Sequence, residues 1–181
     1  MKKRRSVVIA FLLIAALVMG IGYAALTDVL DITGSADISK QAAEGEFNLD
    51  IYFTKAVANE NSTPTTDGTP YNTASVNADN NDKASFSANT LKGAGDTATF
   101  TFSIVNVGDV DAKITPKITT NTQAEYFEIT SDWNGATKDL PANTTADAPL
   151  TYTVTVKLLK TPTETLSGSF LIELTATSVD S

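Results

Sequence analysis

Few residues in this sequence have side chains that could carry out chemistry. The 181-residue chain contains no histidine and no cysteine. This excludes Ser-His-Asp and Cys-His nucleophiles, thiolate metal sites and zinc sites built on histidine pairs. Asp109 and Asp111 lie two residues apart, which would put both carboxylates on one face of a strand, but a turn after Asn106-Val107-Gly108 explains them better than a catalytic dyad. We therefore expect no enzyme activity, no catalytic residue and no cofactor.

Three further motifs each have two interpretations. Asp79-Asn80-Asn81-Asp82 offers oxygen ligands for calcium, but it lacks the central glycine and distal glutamate of an EF-hand loop, so a solvated loop is favoured and no metal site is expected. Asn61-Ser62-Thr63 and Asn143-Thr144-Thr145 match the glycosylation sequon, which is frequent by chance in threonine-rich chains. Trp133 is either a platform that stacks sugars or, as for most single tryptophans, a cap on the hydrophobic core.

The distribution of charge argues against nucleic-acid binding. The chain has 13 Lys and Arg against 21 Asp and Glu, a formal net charge of −8. Four of the bases lie within Lys2 to Arg5, so the rest of the chain carries 9 bases and 21 acids. A surface this acidic repels phosphate backbones.

The N-terminus has the pattern of an export signal. Lys2 to Arg5 form a positive start, and Val7 to Leu26 contains no charge. Gly22 and Ala24 suit the −3 and −1 positions for cleavage before Ala25, so residues 1–24 are predicted to be a signal peptide. The alternative is an uncleaved membrane anchor, because about 20 apolar residues span a bilayer. Both predict export to the cell surface or beyond it, with membrane contact only through this segment.

The rest of the sequence predicts an all-β protein. Apolar residues alternate with polar ones in seven segments rich in β-branched and aromatic types, which predicts about seven or eight strands and an antiparallel β-sandwich. Pro116 suggests an edge or a strand end. The predicted core comprises Phe47, Leu49, Ile51, Phe53, Phe100, Phe102, Ile104, Val154, Phe170, Ile172 and Leu174.

The exported chain is predicted to consist of a sandwich domain and an N-terminal strand that precedes it. Residues 39–181 are predicted to form the sandwich, with a long polar surface loop over residues 56–84 that contains one short strand near Ala74 to Val76. Residues 25–38 are predicted to be an extended N-terminal strand that carries Leu26, Leu30, Ile32 and Gly34 on one face. This strand either completes its own sandwich or is donated to the open sheet edge of another copy.

Four motifs, taken in order, resemble those of one protein family. They are the Gly22 to Asp28 junction, Leu49-Asp50-Ile51, the turn Leu91-Lys92-Gly93-Ala94-Gly95-Asp96 with its following strand to Gly108, and the closing strand Phe170 to Thr177. Together they are similar to the TasA and camelysin family of biofilm-matrix fibre proteins of Gram-positive bacteria. The turn has one residue more than the family pattern, and the chain is shorter than the best-known fibre-forming members.

The resemblance implies a jelly-roll-like sandwich that is cleaved by a specialised signal peptidase, secreted, and assembled by donor-strand complementation into pilin-like fibres. Its partners would be other copies of itself or related matrix subunits. Some camelysin-type members are labelled metallopeptidases, but a zinc site here would rest on carboxylates alone, so protease activity is not expected. The alternative function is a monomeric cell-surface adhesive module that binds through the 56–84 loop or Trp133.

Overall fold

The chain folds into two stacked β-sheets. The computed structural model describes residues 31–41, 49–60, 71–79, 81–163 and 166–179. Within these ranges there is no helix, and therefore none that is long and apolar enough to cross a bilayer. The strands of the described ranges are β1 (Asp31–Gln41), β2 (Ile51–Ala58), β3 (Thr73–Val76), β4 (Lys83–Ala88), β5 (Thr97–Asn106), β6 (Ala112–Asn121), β7 (Phe127–Ser131), β8 (Lys138–Leu140), β9 (Leu150–Leu158) and β10 (Ser167–Ser178).

The larger sheet has six strands in the order β3-β4-β1-β10-β6-β8, and the smaller has four in the order β2-β5-β9-β7. The prediction of an all-β sandwich is confirmed. Strand pairs are antiparallel with one exception: β1 runs parallel to β10. The first strand of the described chain therefore lies beside the last one, in the interior of the larger sheet.

Alternating sequence produces these strands because each sheet buries one face and exposes the other. In β5, Ala98, Phe100, Phe102 and Ile104 are fully buried, and the intervening threonines and serine face outward. β9 pairs with β5 over its length and has the same alternation, with threonines outward. Threonine suits such positions because its branched side chain fits a half-exposed pleated surface.

The core lies between the sheets and contains a cluster of aromatic rings. Every predicted core residue that the structure describes is buried, while Phe47 lies outside the described residues. Phe86 was not predicted, yet it is central: its ring centroid is 4.7 Å from that of Phe100, 5.5 Å from that of Phe102 and 4.9 Å from that of Phe170. These contacts join the two sheets, because Phe86 and Phe170 belong to the larger sheet and the others to the smaller.

The limits of the predicted polar loop are different in the structure. β2 continues to Ala58, and β4 begins at Lys83, so strands occupy both ends of residues 56–84. The short strand predicted near Ala74 is present as β3. β8 was not predicted because it has only three residues. β4 was not predicted because its inward residues are Ala84, Phe86 and Ala88, so that Phe86 is its one large apolar side chain.

Pro116 lies at a point where β6 has a partner on one side. It is opposite Leu174 of β10, whereas β8 pairs only with Ala112 to Ile114. Proline has no N–H to donate, so it fits where the neighbouring strand has ended.

Replacing Phe100 with alanine is expected to lower the free energy of unfolding by about 3–5 kcal/mol, because it leaves a cavity among fully buried rings. Thr101→Ala is the matched control, since Thr101 is the next residue of β5 and faces outward. Urea unfolding followed by circular dichroism measures both. A loss for Phe100→Ala no larger than that for Thr101→Ala would contradict this account of the core.

Candidate functional site

The predicted N-terminal strand is only partly within the described residues. Gly22, Ala24, Ala25, Leu26 and Leu30 lie outside them, as do residues 25–30 in general. Ile32 and Gly34 both belong to β1. We call the space between β4 and β10 that β1 fills the β1 slot. It is the candidate site, because it is where an N-terminal strand, from this or another copy, would bind.

Main-chain pairing holds β1 from both sides. All eleven residues of β1 are in register with β10, from Asp31 opposite Ser167 to Gln41 opposite Thr177. On its other side β1 is antiparallel to β4, from Ile32 opposite Ala88 to Asp37 opposite Lys83. β1 is therefore hydrogen-bonded along both edges by main-chain groups, in a parallel ladder on one side and an antiparallel ladder on the other.

The inward face of β1 carries Gly34, Ala36 and Ile38, and all three are buried. Gly34 lies opposite Phe86 on one neighbour and opposite Phe170 on the other. A Cβ atom at Gly34 would lie 2.4 Å from Cζ of Phe86 and 2.8 Å from Cζ of Phe170. The two rings therefore cover the main chain of this glycine, and we call the arrangement the ring notch. β1 continues beyond residue 38, the predicted limit of the N-terminal strand, to Gln41.

Small hydroxyl side chains surround Thr33 and Ser35 on the outward face of the slot. They line a shallow depression of about 460 Å³. Its hydroxyl-bearing lining residues are Thr33, Ser35, Thr73, Ser75, Ser85, Ser87 and Ser169. Larger residues follow on the neighbouring strands, where Leu171 lies opposite Ser35, and Lys83 and Glu173 lie opposite Asp37.

The segment Asp79 to Asp82, which offered oxygen ligands for calcium, connects β1 near Ile38 to β2 of the smaller sheet. The N–H of Ile38 donates to the carbonyl oxygen of Asp82 at 2.8 Å, and the N–H of Phe53 donates to that of Asn81 at 2.9 Å. Asn80 lies outside the described residues. The described ranges contain no group of three or more Asp or Glu side chains that could hold a metal ion. The role visible in the structure is a backbone connection between β1 and β2.

Trp133 is not a sugar-stacking platform. Its side chain is 5% exposed, its Nε1–H donates to the carbonyl oxygen of Thr151 at 3.0 Å, and its ring meets that of Tyr152 edge to face with centroids 4.8 Å apart. It caps the core, which was the other interpretation. The sugar-stacking interpretation was wrong because the indole is packed against Tyr152 and is too little exposed to offer a face to a ligand.

Asp109 and Asp111 are both exposed in the connection between β5 and β6. Oδ1 of Asp111 accepts a hydrogen bond from the N–H of Ala142 at 2.8 Å, and the carbonyl oxygen of Asp111 accepts one from the N–H of Val179 at 2.9 Å. Asp111 therefore joins the β5–β6 connection to the β8–β9 connection and to the residue that follows β10, which is a structural role.

The turn from Leu91 to Asp96 is held by a carboxylate. Oδ2 of Asp96 accepts hydrogen bonds of 2.8 Å from the N–H groups of both Lys92 and Gly93. These two bonds hold the pKa of Asp96 below its usual value, because they favour the charged form. Gly95 has a φ of 98°, which glycine adopts without strain. The turn thus delivers β5 to its place beside β9.

Comparison with known proteins adds little to this geometry. No protein-family profile matches the sequence, and no curated protein matches it. Among solved structures, the chain is similar to a variant of the major pilin from Streptococcus pyogenes, with a TM-score of 0.23 and 9% identity. The match covers 83% of this chain and 49% of the pilin, so the chain spans about half of that protein's length. A similarity this low indicates nothing about the function of the chain, so the proposal for its function rests on the β1 slot.

Asp96→Ala is expected to lower the free energy of unfolding at neutral pH by about 1 kcal/mol, since two N–H groups lose a charged acceptor at an exposed site. The folded pKa of Asp96 is depressed, so its contribution is present above the unfolded pKa and is lost as pH falls through the folded pKa. The difference between variant and native chain should therefore shrink in acid. Asp109→Ala is the control. Denaturant unfolding at several pH values measures both, and a difference independent of pH would contradict the assigned role.

Proposed function

We propose that this chain is a secreted, non-catalytic structural subunit that polymerises by donating β1 to the β1 slot of the next copy. In an isolated chain the slot holds that chain's own β1. In a fibre, each slot holds the strand of a neighbour. The location is extracellular or at the surface of a Gram-positive cell, and the polymer is part of an extracellular matrix.

One observation carries the proposal: the first described strand lies in the interior of a sheet. Without β1, the larger sheet would separate into β3–β4 and β10–β6–β8. Phe86 and Phe170 would lose the strand that lies between them, and two rows of main-chain groups would lose their partners. An empty slot is therefore costly, and some strand must fill it.

The slot does not distinguish its own strand from a copy of it. A β1 strand from a neighbour makes the same hydrogen bonds and buries the same Ala36 and Ile38 as the intramolecular strand does. The balance then depends on concentration and on the connection between β1 and β2. Nine residues separate Gln41 from Ile51. Such a segment spans at most about 30 Å when extended, which limits how far β1 can reach from its own β2 to the slot of another copy.

The sequence supports a role for export in this balance. The proposed cleavage point before Ala25 lies six residues ahead of Asp31, where β1 begins. Before cleavage, the apolar segment would hold β1 close to the membrane, where it is not free to be exchanged between distant copies. After cleavage the strand has a free N-terminal end, which an exchange between copies requires.

Protein recovered outside the cell is expected to begin at Ala25, within about two residues, because the small residues at Gly22 and Ala24 suit signal peptidase. N-terminal sequencing of secreted material measures this. Material that still begins at Met1 would favour the membrane anchor.

The exported chain is expected to form fibres, visible by electron microscopy and pelleted by sedimentation, in amounts that rise with concentration. Ala36→Asp should abolish them, because it places a charge at a fully buried position of β1. Thr33→Asp is the matched control, on the exposed face of the same strand, and should still assemble.

Two outcomes would contradict polymerisation. A chain that stays monomeric at high concentration would favour the adhesive surface module. A species limited to two copies would show that exchanged strands close on each other and do not extend a fibre.

A further inference from the structure

The ring notch restricts which β-strand can fill the β1 slot, and we propose that it selects the strand that is accepted during assembly. This inference rests on the proposed exchange of β1 between copies. The occupant that the notch fits is the β1 strand of a second copy of this chain, recognised by its glycine.

The steric restriction comes from both sides of the slot. Gly34 is in register with Phe86 on β4 and with Phe170 on β10. A Cβ atom would lie 2.4 and 2.7 Å from two ring carbons of Phe86, and 2.8 Å from Cζ of Phe170. Any residue other than glycine must therefore displace a ring.

The rings have little room to move. Phe86 is 3% exposed and Phe170 is 4% exposed, and Phe86 also contacts Phe100 and Phe102, which are fully buried. Because protein interiors are close-packed, a shift of Phe86 would be passed on to the smaller sheet. A side chain at position 34 would thus disturb the contact between the two sheets.

The notch also fixes the register. A strand displaced by two residues would bring Ile32 or Ala36 beneath the rings, and each has a Cβ atom. A displacement by one residue would turn the inward face outward. In the remaining register, Ala36 and Ile38 point into the core, so the slot accepts glycine, then a small residue, then isoleucine at alternate positions.

Selection of this kind gives specificity to an interaction that otherwise has little. Main-chain hydrogen bonds to a sheet edge are available to any extended peptide. A slot that admits only glycine at one position rejects most extended peptides by steric clash. The depression on the outer face above Thr33 and Ser35 has a volume of about 460 Å³, so a side chain there meets no comparable restriction.

The test uses a fluorescent peptide of residues 31–41 mixed with the exported chain during refolding, with binding followed by fluorescence anisotropy. A peptide with Gly34→Ala should bind at least about tenfold more weakly than the native peptide. A peptide with Ser35→Ala is the matched control, because Ser35 is on the outward face, and it should bind like the native peptide.

A chain with Phe86→Leu tests the same clash from the side of the slot. Leucine lacks the two ring carbons nearest to Gly34, so this chain should accept the Gly34→Ala peptide nearly as well as the native one. If the variant chain does not fold, the comparison of peptides on the native chain still decides.

The outcomes separate the two proposals. Equal binding of the native and Gly34→Ala peptides to the native chain would overturn selection by the notch and leave strand exchange standing. No binding of the native peptide would reject exchange itself, and selection with it.

Discussion

The architecture depends on the need of an interior strand for hydrogen-bond partners along both edges. β4 and β10 each present a row of main-chain groups to the space between them, and β1 satisfies both rows. Loss of this one strand would convert the centre of a six-stranded sheet into two new edges. Exposed edges are the sites at which β proteins associate. The same constraint thus stabilises the single chain and is the basis on which we propose exchange of β1 between copies.

The aromatic cluster transmits that constraint to the rest of the molecule. Phe86 contacts rings of both sheets, and Gly34 leaves it the space to do so. The packing of β1 and the packing between the sheets are therefore not independent. Replacing this one glycine would therefore displace rings in the centre of the core, although glycine itself contributes no side chain to it.

The parts of the fold that sequence reveals are those governed by local alternation. β5, β9 and β10 repeat apolar residues at every second position, so their existence and their inward faces can be predicted. β8 is too short for the pattern to be distinguished from a loop, and in β4 the alternation is weak because two of its three inward residues are alanines. The tryptophan was ambiguous because its burial depends on Thr151 and Tyr152 of β9, which are distant from it in the sequence.

The site itself was only partly predictable. The alternation that includes Ile32 and Gly34 indicates an extended strand, but not which strands lie beside it. The parallel alignment of β1 with β10, and the convergence of Phe86 and Phe170 on Gly34, arise from pairing between distant segments. No local pattern encodes that pairing, so the ring notch could not be found before the register was known.

The parallel pair has a consequence for the timing of folding. Asp31 pairs with Ser167 and Gln41 with Thr177, partners that are 136 positions apart in the sequence. Contacts between such distant segments form late, because a long loop must close first. β1 is also made before every other described strand, whereas β10 is made last. Each new chain therefore passes through an interval in which β1 exists without its main partner, and the centre of the larger sheet cannot close until β10 is complete.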